Sequence, residues 1–99
     1  MAAKVRRSSG NVFADLGFDR EAAENLRIRA DLMSRLARLL EKRDLTQVQA
    51  ARLLGVSQPR ISDLVRGKID RFSIDSLVEM LGHAGSRVSF VVRPVRRVA

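Results

Sequence analysis

From Arg20 to about Arg43 the chain carries no glycine or proline, and Ala22, Leu26, Ala30, Met33, Leu36, Ala37 and Leu40 recur at spacings of three and four. That period belongs to an amphipathic helix with its apolar stripe on a core. Ile28, Leu32 and Leu39 widen the stripe. Asp19, directly after Phe18, is placed to cap the helix start. The run is long for a globular helix and leaves room for a break near Asp31.

The periods then shorten. Thr46 and Gln49 form a capping box for a second helix, and Gly55 ends it. A third helix starts at Ser57 or Gln58, accepts Pro59 only in its first turn, and stops at Gly67. A fourth runs from about Ser73 to Leu81, with Asp75 in its first turn and Phe72 and Leu77 set as a hydrophobic staple. Gly82 and Gly85 end it. Beyond them the period becomes two, with Val88, Phe90 and Val92 alternating with Ser89, Val91 and Arg93. This predicts a strand over Arg87–Val92, stopped by Pro94. At the other end, Asn11–Phe18 (NVFADLGF) reads as a packed cap or a short turn of helix.

The expected organisation is one mainly α-helical domain over residues 11–93. A flexible basic tail (1–10) precedes it and a short basic tail (94–99) follows. A single strand leaves a row of unpaired backbone groups. Its simplest partner is the same strand of a second copy, which makes Val88, Phe90, Val91 and Val92 candidate dimer contacts in a homodimer.

Composition narrows the partner. The chain has 99 residues with 19 Lys+Arg against 11 Asp+Glu, a net charge of +8, which favours a polyanion. Only Lys4, Lys42 and Lys68 are lysines. Arginine makes bidentate contacts to phosphate and guanine, so its excess tilts the choice toward nucleic acid. The absence of cysteine removes disulfides and thiolate metal sites and fits a reducing cytoplasm. No apolar run is long enough to span a membrane, and the start lacks the apolar core of a secretory signal. The long helix mixes Glu21, Glu24, Asp31 and Glu41 with its arginines, which argues against a membrane-surface role.

Thr46–Lys68 (TQVQAARLLGVSQPRISDLVRGK) then carries the chemistry. Two short helices that cross closely need a small residue at the crossing, here Ala51 with Ala50 beside it. The turn needs a residue free to take positive φ, here Gly55. Val56, Ile61 and Leu64, with Leu54 from the preceding helix, give the later helix a packed face. Its bare face holds Gln58, Arg60, Asp63 and Arg66, with Ser62 at its edge and Ser57 and Pro59 at its start. Such a helix fits the DNA major groove with its N-terminal residues on base edges.

Gln58 is the best base reader, because its amide both donates to and accepts from adenine. Arg60 suits guanine or a phosphate. Asp63 either accepts from cytosine N4 or orients Arg60 or Arg66. Gln47, at a helix N-terminus, is placed for a phosphate. Arg66, Lys68 and Arg71 are natural phosphate contacts.

This stretch resembles the lambda-repressor-like helix-turn-helix of the XRE family, a five-helix-type DNA-binding domain. NVFADLGF, the segment EAAENLRIRADLMSRLARLLEKRDLT and the closing FSIDSLVEMLGHAGSRVSFVV resemble the compact HigA-type antitoxins within it. The resemblance covers about residues 11–93. It implies a dimer that binds a double-stranded operator in its own promoter and neutralises a RelE-like ribonuclease toxin. Such toxins are basic, so Asp15, Asp19, Glu21 and Glu24 form a candidate acidic surface for one. Helix capping explains the same carboxylates equally well. Pro59 and Asp63 stand where some relatives carry further polar base readers, so no target sequence transfers.

Enzymatic readings find no support. His83 is the only histidine and sits at a helix end, so no Ser/His/Asp set can be assembled. The glycines are scattered rather than gathered in a phosphate loop. Met33 and Met80 read as core. No cofactor or metal is expected. Besides the antitoxin, two readings stand: a stand-alone or phage-type XRE repressor without a toxin, and a protein-interaction module that has lost DNA.

Overall fold

Arg20–Lys42 forms one unbroken helix, α2, around which most of the chain is arranged. The structure, a computed structural model, describes residues 11–94. The expected tails lie outside the described residues, apart from Pro94. Around α2 stand α1 (Val12–Asp15), α3 (Gln47–Leu54), α4 (Gln58–Val65), a single 3-10 turn (Ile69–Arg71) and α5 (Ile74–His83). The result is mainly helical, with five helices among the described residues.

The room left for a break at Asp31 is not used. Asp31 faces solvent and pairs with Arg35 one turn later at 3.1 Å, so nothing interrupts the helical ladder. Asp19 caps the helix by accepting from the Ala22 amide at 2.8 Å. The buried face of α2 comprises Ala23, Leu32, Met33, Leu36 and Leu40. Leu36 and Leu77 of α5 are both wholly removed from solvent, at 0% exposure. Leu54, Ile61, Leu64, Phe72 and Met80 complete this core. The Phe72–Leu77 staple and the Ser73–Ser76 capping box set the start of α5. That helix extends through Gly82 to His83, two residues past its expected end.

NVFADLGF is a helical turn. Asn11 accepts from the Phe13 and Ala14 amides, and its own amide donates to the Ala23 carbonyl at 3.1 Å, which ties α1 to α2. The Phe13 and Phe18 rings meet edge to face with centroids 6.1 Å apart. At the far end of α2, Asp44 takes a left-handed conformation with φ 54°. There the Leu45 amide bonds the Leu40 carbonyl (3.3 Å) and the Asp44 amide bonds that of Glu41 (3.0 Å), a Schellman ending that the sequence did not announce.

The expected strand is absent from the single chain. Residues 87–92 form neither helix nor sheet. The segment runs beside α2 and shares a trough with Ile28, Asp31, Arg35 and Leu39. Val88 packs against the core, while Phe90, Val91 and Val92 are 57%, 71% and 94% exposed. The physical reason is the one that makes a lone strand costly: the described residues offer no second row of backbone groups to pair with. Among the described residues, no helix is long and apolar enough to cross a membrane.

Candidate nucleic-acid interface

The crossing of α3 and α4 is built as the residue sizes require. Ala50 and Ala51 are buried, and Leu54, Ile61 and Leu64 close the space beneath. The Thr46 hydroxyl accepts from the Gln49 amide at 3.1 Å, and the Gln49 side chain accepts from the Thr46 amide at 2.9 Å. Gly55 turns the chain at φ 70°. The His83 ring lies over it, 3.4 Å from where a Cβ would stand, so α5 covers the turn. The Ser57 hydroxyl then caps α4 by accepting from the Arg60 amide at 3.3 Å. The helix itself begins at Gln58, with Pro59 in its first turn, where no N–H is needed.

The structure keeps Ser57, Gln58, Pro59 and Arg66 exposed on and around α4, and Gln47 exposed at the first position of α3. Ser62, Asp63 and Lys68 are half-buried. The arrangement can present an amide and a hydroxyl to base edges and cations to phosphates.

Arg60 does not simply project. Its guanidinium carbon lies 4.2 Å from the centroid of the Phe72 ring, and Nη1 donates to the Arg71 carbonyl at 2.5 Å. Asp63 orients neither Arg60 nor Arg66. Its Oδ2 instead accepts from Nη1 of Arg71 at 3.3 Å. The helix α4 and the 3-10 turn are therefore joined by two arginines and an aspartate.

Sequence reasoning missed two structural arginines. Arg29 donates from Nη1 to the carbonyls of Ile69 (3.1 Å) and Phe72 (3.2 Å), and from Nε to Asn25 (2.7 Å). It anchors the 3-10 turn to α2. Arg43 donates to the Ala84 carbonyl at 3.0 Å and fastens the end of α5. The available signal for Arg29 was its register: it lies on the apolar side of α2, between Leu26 and Met33. Both charges serve the fold first, so the net charge overstates what faces a polyanion.

The four acidic candidates lie at the α1–α2 end and are exposed. Asp15 closes α1, Asp19 is the α2 cap, and Glu21 sits in the first turn. Glu24 pairs with Arg27 at 2.7 Å, and that hydrogen bond holds its carboxyl below the ordinary value. Among the described residues no acidic or histidine cluster could hold a metal ion.

Fold and exposed face together define a helix-turn-helix DNA-binding domain. Residues 12–93 match the family model described as a helix-turn-helix domain. A solved structure named provisionally as an XRE family transcriptional regulator is similar over 79% of this chain and 91% of its own, at 30% identity and a TM-score of 0.72. The chain belongs to the XRE-type helix-turn-helix family of DNA-binding transcriptional regulators. No curated protein matches the chain.

Proposed function

We propose that this regulator is a sequence-specific repressor that binds its operator as a homodimer. The observation that carries the reading is the start of α4, where Ser57, Gln58 and Pro59 are exposed above a fully packed Ile61 and Leu64. Gln58 reads an adenine edge, with Ser57 and Ser62 beside it. Arg66 and Lys68 take phosphates on one flank. Gln47, at the N-terminus of α3, takes one on the other. In the dimer, residues 87–92 of two copies pair antiparallel through Val88, Phe90, Val91 and Val92. The exposure of the last three supports this. Two α4 helices related by a two-fold axis then read half-sites about 34 Å, one helical turn, apart.

The finer role is that of an antitoxin that represses its own operon and neutralises a RelE-like ribonuclease toxin. The resemblance of NVFADLGF and of the closing segment supports it, as does the exposure of Asp15, Asp19, Glu21 and Glu24. A stand-alone repressor is the second reading, favoured by similarity to a structure whose name gives transcriptional regulation alone. The experiment is co-expression with any adjacent small reading frame, followed by purification and a shift assay on the upstream DNA. Co-purification of a basic partner and a specific shift support the antitoxin. A specific shift with no partner leaves the stand-alone repressor. No shift at any salt overturns both.

A further inference from the structure

The one acid on α4 is Asp63, and an anion on a helix that enters a phosphate-lined groove needs a reason. Its side chain is only 18% exposed, and its carboxylate faces Arg71 at 3.3 Å. The backbone around Arg71 is fixed independently. Its carbonyl is held by Arg60, Arg60 rests on Phe72, and Arg29 grips the carbonyls of Ile69 and Phe72 from the other side. The Arg71 side chain, by contrast, is 54% exposed and is held by this single ion pair. With its side chain more than half exposed, Arg71 is placed to reach a phosphate once that pair is removed.

We propose that Asp63 is a specificity-determining residue that acts by withholding Arg71 from the DNA backbone. Sequence-independent affinity comes almost wholly from cations on phosphates. A free Arg71 beside the recognition helix would add one such contact on any duplex. Held by Asp63, it adds none. Operator binding loses less, because base contacts fix α4 in one register and a freed side chain gains only the phosphates which that register allows. The pair thus widens the gap between operator and bulk DNA, the quantity that matters among many competing sites. The proposal rests on the reading of α4 as the recognition helix.

The test is a double-mutant cycle on the full chain, with Asp63→Asn and Arg71→Ala, read as affinity for a random duplex and for the upstream DNA across a salt series. Thermal melting of each variant checks that it folds, and Asp63→Ser serves as a second removal of the charge. Asp63→Asn is expected to tighten random-duplex binding roughly 5–10-fold at ~0.1 M salt and to steepen the salt slope by about one. In the Arg71→Ala background the same change is expected to have less than about a twofold effect, because the freed contact is gone. A gain that persists without Arg71 reflects charge removal alone and overturns the proposal. So does an unchanged random-duplex affinity and slope. Loss of operator affinity with random binding unchanged makes Asp63 a base reader and overturns it as well. A wild-type chain that binds no duplex overturns the recognition-helix reading beneath it, a result distinct from a binding wild type with an insensitive variant.

Discussion

The guanidinium of Arg60 lies 4.2 Å from the centroid of the Phe72 ring, and that ring is itself only 2% exposed. The contact joins α4 to the residue that leads into α5, so α4 is braced from outside as well as packed from beneath. A cation over a largely desolvated ring contributes about 1–2 kcal/mol, and the bond to the Arg71 carbonyl adds to it. Arg60→Ala is therefore expected to lower stability by about 1–2 kcal/mol in urea denaturation, whatever it does to DNA binding. Arg60→Lys is expected to recover less than half of that, because an ammonium cannot lie flat on the ring and bond the carbonyl together. An Arg60→Ala variant as stable as wild type would show the brace to be idle.

How far this could be read beforehand differs from residue to residue. The α2 stripe, the Thr46 capping box, the Gly55 turn and the Phe72–Leu77 staple are local patterns, and each appears as expected. Arg60 and Asp63 were legible as face residues but not as parts of a brace, because their partners Arg71 and Phe72 come from another element. Arg29 and Arg43 find backbone carbonyls 40 or more residues away, and no local spacing encodes that. The alternation over 87–92 is real, but a strand requires a partner that the described residues do not offer.

Two left-handed residues predict opposite effects. Asp44, at φ 54°, occupies a conformation that carries a steric cost for a side chain. Asp44→Gly relieves it, partly offset by the greater freedom of glycine in the unfolded chain, for a net gain of about 0.5 kcal/mol. Gly55→Ala meets the same cost at φ 70° and adds a Cβ 3.4 Å from the His83 ring. It is expected to lose about 1–2 kcal/mol. Thermal melting of both variants decides the matter: shifts of the same sign would contradict the account.

Arg29 sits where an apolar residue would fit the α2 stripe, yet its hydrogen bonds hold the 3-10 turn. Arg29→Met keeps the aliphatic bulk and removes the donors. The expected cost is about 1–2 kcal/mol, with faster amide exchange concentrated over Ile69–Phe72 rather than spread across α2. Uniform exchange along α2 would place the role of Arg29 in its stem rather than its guanidinium.

If residues 87–92 form the dimer ribbon, a proline inside it removes a ladder donor and forbids the pairing geometry. Val91 is 71% exposed and lies outside the hydrophobic core. Val91→Pro is expected to give a monomer by analytical ultracentrifugation, with its helix content unchanged by circular dichroism. A dimer that survives the substitution must be held elsewhere.

Gln58 and Arg66 stand at opposite ends of α4, both exposed, and their losses should be told apart by sequence and by salt. A glutamine amide that bonds an adenine edge discriminates by about 1–3 kcal/mol at one base pair. Gln58→Ala should therefore weaken the operator roughly 5–150-fold, leave random duplex almost untouched and keep the salt slope, because no phosphate contact is lost. Arg66 follows the last turn of α4, where the proposed docking puts DNA backbone rather than bases. Arg66→Ala should weaken operator and random duplex by similar factors and flatten the slope by about one. Titrations of both variants on both duplexes, at three or more salt concentrations, give the comparison. The assignment of the reading face fails if Gln58→Ala weakens both duplexes alike, since a contact blind to sequence cannot be one to a base.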